Sequence, residues 1–205
     1  MKTLGCRILQ KAIAEYETDL DDMLRSALAK TSDTMTSVCL VGLWGAIQRN
    51  KGLSVFRQCA LLTEALERSR DQITTLGSLA DDWLADPRAM DGAVSILQQC
   101  ALVPVVWDEK PRYLMTLASK VLSWCVSDSF PIIDENARRA LDFKIANRHQ
   151  RTWTEYRLWT EYRLWTEAIR GQVNEHRHCC LERARWGSES LVRTLDRGLY
   201  TLGAQ

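Results

Sequence analysis

Residues Leu114 to Leu141 read LMTLASKVLSWCVSDSFPIIDENARRAL, and this stretch frames the reading of the rest of the chain. Leu114, Leu117, Ala118, Val121, Leu122 and Cys125 recur at the spacing of one buried helix face, which leaves Lys120 on or beside the polar edge. A short loop then leads into Phe130-Pro131-Ile132-Ile133, an apolar plug that anchors the chain before Asp134 opens the next helix. At a helix start the free backbone N–H groups and the helix dipole favour a carboxylate, so Asp134 is expected to be held in place by the fold itself.

Working outward, the same three-and-four spacing continues almost throughout. It is clearest at the first helix, where Leu9, Ile13, Tyr16, Leu20, Met23 and Ala27 form one face and Glu17, Asp21, Asp22 and Arg25 are predicted to lie outside. Thr31 to Asp33 is a break with capping residues. Helices follow at about Thr34 to Gln48, Leu53 to Ser69 and Gln72 to Ala85, the first two separated by the Asn50-Lys51-Gly52 turn. Pro87 suits the first turn of a helix running to about Leu102, where Pro104 interrupts it. Trp107 to Pro111 reads as a polar connection, followed by a helix from about Arg112 to Val126, the loop Ser127 to Ile133 and the helix from Asp134. Two long Arg-rich helices, broken near Gly187, complete the chain. With four prolines, ten glycines and no stretch that demands a strand, the expected fold is all-α. Residues 1–205 then form a single multi-helix domain, with a division into lobes at 1–108 and 109–205 left open.

A length of 205 residues with 46% apolar, 26% charged and 8% aromatic residues excludes disorder and collagen-like repeats. The longest apolar run, Val38 to Ile47, contains Gly42 and Gly45 and falls well short of the roughly twenty residues that span a membrane. Met1 to Tyr16 has no continuous apolar core of the secretory kind, so a cytoplasmic protein is expected. Seven cysteines without a CxxC pair are read as reduced core thiols. The net charge of +1 hides an asymmetry: residues 1–136 carry 14 Lys and Arg against 18 Asp and Glu, whereas residues 137–205 carry 13 against 8. Nearly all the cations of the second group are arginines, which suit phosphate contacts but also occur on ordinary solvated helices.

Trp-Thr-Glu-Tyr-Arg-Leu occurs at 153–158 and again at 159–164, and Trp165-Thr166-Glu167 begins a third copy. Aromatic residues therefore fall on every third position, and each step slips about 60° around a helix of 3.6 residues per turn. Such a helix packs on more than one side; a stacking platform for bases is the alternative. His176 and Cys180, four apart, suit two ligands to a zinc ion, but no matching second pair follows in the sequence. The lone His149 has no nucleophile motif beside it, and no glycine-rich phosphate loop is present.

The segment around Lys120 and Asp134 resembles the catalytic region of the helix-hairpin-helix DNA glycosylase superfamily, in particular small bacterial proteins with an 8-oxoguanine-glycosylase-like fold. Ala118-Ser119-Lys120-Val121 matches the lysine element and Phe130-Pro131-Ile132-Ile133-Asp134 the aspartate element, so the resemblance covers under a fifth of the chain. The Gly-Val-Gly hairpin that precedes the lysine in that superfamily is replaced here by Lys110-Pro111-Arg112-Tyr113-Leu114-Met115-Thr116-Leu117, and the interval from Lys120 to Asp134 is shorter. The resemblance implies excision of a damaged or modified base from double-stranded DNA after base flipping, with Asp134 as the essential carboxylate and Lys120 as a nucleophile or phosphate ligand. Asn136 falls where the family often has a phosphate-contacting histidine, and Arg138 and Arg139 are the nearest cations in sequence. Phage DNA carrying modified bases is as fitting a target as damaged host DNA. No cofactor or metal is called for. The rival reading is a noncatalytic helical module that binds protein or DNA, in which Asp134 only caps its helix and Lys120 is solvated.

Overall fold

The computed structural model describes residues 4–46, 55–77, 87–101, 105–107, 110–112, 114–143, 155–185, 187 and 189–205. Helices α1 (Cys6–Ala14), α2 (Asp19–Leu28) and α3 (Thr34–Val41) come first, and α3 runs on into one π turn, Gly42–Ala46. They are followed by α4 (Val55–Arg68), α5 (Arg70–Gly77) and α6 (Pro87–Ala101). A small hairpin of β1 (Val105–Trp107) and β2 (Lys110–Arg112) leads to α7 (Met115–Cys125) and α8 (Glu135–Ala140). The long α9 (Glu155–His176) ends in a second π turn, Arg177–Leu181, continued by α10 (Glu182–Ala184), and α11 (Leu191–Ala204) closes the chain. The fold is all-α apart from that hairpin, and none of the described helices is long and apolar enough to cross a membrane.

One hydrophobic cluster joins residues from Leu4 to Leu199, with Leu62, Leu97, Leu122 and Trp165 among its fully buried members. Helix α11 lies against α8 and α1, α6 packs on α9 and α7, and α3 rests between α4 and α7. Nine consecutive residues of α11, Leu191 to Leu199, are buried, so the charged residues among them lie inside the molecule. Helix starts follow the capping residues of the sequence. Asp33 accepts from the Thr36 N–H at 2.7 Å, Asp134 from the Ala137 N–H at 2.9 Å and Ser190 from the Arg193 N–H at 3.0 Å, and Pro87 opens α6.

The first helix departs from its periodicity. The chain breaks between Ala14 and Asp19, leaving Leu20 65% and Met23 69% exposed while Asp21 is 1% exposed. The break has a local cause that apolar spacing does not register: Asp19, Asp21 and Asp22 crowd one turn after Thr18, an acidic first turn that belongs to a helix start. The expected polar connection at Trp107 to Pro111 is instead part of an antiparallel pairing, with Val105 opposite Arg112 and Trp107 opposite Lys110. The Leu114 N–H to Ala101 carbonyl bond, 3.0 Å, closes this excursion. Cys6 and Cys179, expected as reduced thiols, form a disulfide, a pairing across 173 positions that local spacing cannot reveal.

Within the WTEYRL repeat, Tyr162 and Trp165 are fully buried, and Trp165 meets Phe143 edge to face at 5.2 Å. For these two rings the helix is core. The side chains of Tyr156, Trp159 and Trp107, and residues 50–52, Trp83, His149 and Trp153 altogether, lie outside what the structure describes.

The close approach of α11 to α8 depends on Gly203, where a Cβ would overlap the carbonyl group of Asn136. Gly203→Ala must push the last turn of α11 off α8, an overpacking cost of about 1–3 kcal/mol. A Tm lower by about 2–4 °C per kcal/mol is the expected result in thermal unfolding; an unchanged Tm would show that this turn does not hold α8.

Candidate functional site

The apolar plug predicted before Asp134 is buried, and it is fixed from three sides. The Ile133 N–H donates to the Ser119 hydroxyl of α7 at 3.2 Å, the Ile132 N–H to Asp196 Oδ2 of α11 at 3.2 Å, and the Tyr162 hydroxyl of α9 to the Pro131 carbonyl at 3.1 Å. Asp128, in the same loop, is tied to the start of α11: its carboxylate accepts from the Ser190 N–H at 2.9 Å and its carbonyl from the Ser190 hydroxyl at 2.7 Å. The bonds at Pro131, Ile132 and Ile133 are buried, and without them these backbone groups would be shut off from water unpaired, so they are the condition for burying the plug.

Asp134 divides its two oxygens. Oδ1 caps α8, while Oδ2 lies 3.8 Å from Lys120 Nζ. Lys120 is not on a polar edge: its side chain is 8% exposed and its ammonium group stands 4.9 Å from the Trp44 ring centroid. Burial lowers the Lys120 pKa, opposed by the negative charge of Asp134 and reinforced by the positive charge of Arg193.

Behind this pair lies a buried ionic network that joins α2 to α11 and to Glu189, two residues before α11 begins. Arg197 Nη1 donates to Glu189 Oε2 at 2.9 Å, and Arg193 Nη2 lies 3.5 Å from Asp21 Oδ2. The Tyr16 hydroxyl donates to Asp21 Oδ1 at 3.0 Å, and the Arg193 guanidinium stacks on Trp124, 3.7 Å from the ring centroid. Burial pushes the carboxyls of Asp21 and Glu189 up, and the two arginines hold them down. Asp196, fully buried, is raised well above the ordinary carboxyl range by desolvation, against the pull of Arg193 and its bond from Ile132.

Two adjoining cavities share Tyr16, Trp44 and Tyr200. The larger, about 410 Å³, is bordered by Glu17, Leu20, Asp21 and Lys120, a volume within the range of small-molecule sites. The smaller, about 20 Å³, is bounded by Asp134, Asp196, Arg193 and Arg197 and has room for a single water molecule. A carboxylate, a buried amine and a water-sized space thus meet beside a cavity of nucleobase scale.

Of the residues singled out in the sequence, the structure brings Lys120 and Asp134 together despite their short interval. Asn136, Arg138 and Arg139 lie on α8 but do not line either cavity, and Arg139 is exposed and paired with Glu135 at 2.8 Å. Arg193 and Arg197, counted in the basic C-terminal excess, are consumed by the internal network. Sequence reasoning missed Tyr16, Asp21, Glu189, Asp196 and Tyr200, and it left Trp44 open between base pocket and core, with core preferred, whereas the structure sets it on both cavities. A signal existed in Glu189, Arg193 and Arg197, which follow one another at intervals of four, but such a stripe is ordinarily a solvated helix face. No family model matches the chain, and neither a curated protein nor a solved structure matches it.

Proposed function

We propose that this protein is a DNA glycosylase that excises a damaged or modified base, with Asp134 and Lys120 at its catalytic centre. The observation that carries the reading is the buried approach of Lys120 Nζ to Asp134 Oδ2 at 3.8 Å, with Lys120 on the wall of a nucleobase-sized cavity and Asp134 on that of the adjoining water-sized one. Breaking an N-glycosidic bond leaves positive charge on the sugar, and a carboxylate fixed by its own helix cap stabilises that charge without reorganising. In the hydrolytic route a water in the slot beside Asp134 gives its proton to the carboxylate as its oxygen bonds to the anomeric carbon, and the base departs with the bonding electrons. In the amine route neutral Lys120 attacks the same carbon as the base departs with the bonding electrons, the new ammonium passes a proton to Asp134, and ring opening at the sugar oxygen then leaves a Schiff base. Asp196 acts at one remove, holding Ile132 and with it the plug that aims Asp134. Flipping brings the target nucleotide within reach of the cavity, where the rings of Trp44, Tyr16 and Tyr200 offer stacking surfaces.

The deciding experiment is mass spectrometry of free bases released from plain, oxidised and phage-modified duplex DNA by the wild-type protein. Release of a base supports the proposal and names the substrate; no release by folded protein from any of these DNAs favours the noncatalytic binding module. Borohydride reduction separates the two routes. A covalent adduct with DNA that disappears in Lys120→Ala is the expected result for the amine route, because burial favours the neutral, nucleophilic amine. Its yield should rise with pH and level off below the ordinary lysine value of about 10.4, since the lowered pKa supplies neutral amine earlier. Absence of an adduct would assign Lys120 to the ion pair alone.

A further inference from the structure

Away from the cavities, α1 meets the end of α9 at a second cluster of chemically active side chains. Cys6 is the first residue of α1, His176 the last of α9, and Cys179 and Cys180 belong to the π turn that follows. One ligand atom from each of these four lies within 4.8 Å of all the others. His176 Nδ1 is 3.4 Å from Cys6 Sγ and 3.6 Å from Cys179 Sγ. Positions 176, 179 and 180 stand at i, i+3 and i+4, which share one face of a helix, and the π turn Arg177–Leu181, a distortion frequent at functional sites, falls at this point. His176 and Cys180 are buried, whereas Cys6 and Cys179 are partly exposed, which leaves a path for an ion. The other cysteines described, Cys39, Cys59, Cys100 and Cys125, belong to no such cluster among the described residues.

We propose that Cys6, His176, Cys179 and Cys180 bind one zinc ion in the reduced protein. Three sulfurs and one imidazole nitrogen are a ligand set and number that suit tetrahedral zinc, and their mutual separations match a shared centre. The disulfide between Cys6 and Cys179 uses two of the same sulfurs, so disulfide and metal exclude one another. Reduction by a phosphine with water transfers two electrons to the S–S bond, yields two thiols and the phosphine oxide, and frees the set. Zinc then displaces three thiol protons and takes the imidazole lone pair, giving a site of net charge −1. Arg7 beside Cys6 and Arg177 beside His176 supply cations next to the ligands in sequence. This assignment is independent of the glycosylase reading, since neither cavity includes these residues.

The test uses the full chain, reduced with a phosphine, stripped by a chelator and titrated anaerobically with zinc against a chromogenic competitor. One zinc per chain, and with cobalt the intense visible absorption of a tetrahedral thiolate site, is the expected result. Cys6→Ser and Cys180→Ser should weaken zinc by more than the about 10–100-fold that loss of a supporting hydrogen bond costs, while Cys125→Ser leaves it unchanged. A measurement on the wild type guards against misfolded variants: zinc should protect Cys6, Cys179 and Cys180 from alkylation and leave the other thiols as they were. Failure of the reduced chain to bind zinc, equal affinity in folded Cys6→Ser, lack of this selective protection, or a disulfide that survives the phosphine would each overturn the assignment.

Discussion

Asp134→Asn is expected to lower base release by about 10³-fold, within the range for loss of a positioned acid–base group or a charge-stabilising group, while the protein stays folded. The prediction rests on the division between the two oxygens of Asp134. Asparagine keeps an oxygen for the Ala137 N–H, and asparagine and aspartate are about equally good caps, so α8 loses little. What disappears is the charge facing Lys120. A Tm within about 4 °C of the wild type is expected, the equivalent of about 1 kcal/mol for a chain of this size. Asp134→Ala removes charge and cap together and should cost about 1 kcal/mol more with the same loss of activity. If Asp134→Asn released base within tenfold of the wild type, the residue would be a cap and nothing else, and the proposed chemistry would fall.

The largest effect on stability is expected at Arg193. Its side chain is 4% exposed, faces Asp21 and Glu189, and covers Trp124. Arg193→Ala leaves three buried carboxyl groups, those of Asp21, Asp196 and Glu189, short of a counter-charge, a loss of about 3–5 kcal/mol, and creates a void over the indole. Thermal unfolding should show a Tm lower by roughly 6–20 °C. The deficit should also depend on pH. Without Arg193 the carboxyls of Asp21 and Glu189, already raised by burial, rise further, so the folded state binds more protons than the unfolded one above about pH 4. Stability of the variant therefore falls more steeply than that of the wild type as pH increases from about 4 toward neutrality. A variant melting within 2 °C of the wild type, or one more stable at neutral than at acid pH, would show that the network contributes little.

Much of this architecture is legible in the chain, and the parts that are not share a cause. Phe130 to Asp134 could be read because plug, cap and apolar face are neighbours in sequence, and local spacing carries their geometry. The capping roles of Asp33 and Asp134 follow from the same short-range chemistry. The pairing of Lys120 with Asp134 needed a loop path that no spacing rule supplies. Asp21 was assigned to the wet face because six residues from Leu9 to Ala27 kept step across what is in fact a break, and its ion-pair partners Arg193 and Arg197 lie on α11. Arg193 and Arg197 looked like solvated cations for the reciprocal reason. The closing of Cys6 on the end of α9 is of the same kind, since a contact across 173 positions leaves no local trace.

The cavity wall is assembled from Tyr16 and Asp21 of the first helices, Lys120 and Asp134 of the middle, and Arg193 and Tyr200 of α11. During synthesis, at about 5–20 residues per second, the nascent chain carries the first of these groups for roughly 10–40 s before the last emerges from the ribosome. Until α11 has cleared the exit tunnel, Asp21 lacks Arg193 and Arg197 and keeps Arg25 of its own helix as a neighbouring cation, and the slot beside Asp134 lacks Arg193, Asp196, Arg197 and Tyr200. A product released early by a truncated message therefore contains the lysine, the aspartate and the cap, yet lacks a closed site. The order of residues along the chain thus keeps this pocket open until α11 has been made and folded back onto α2 and α8.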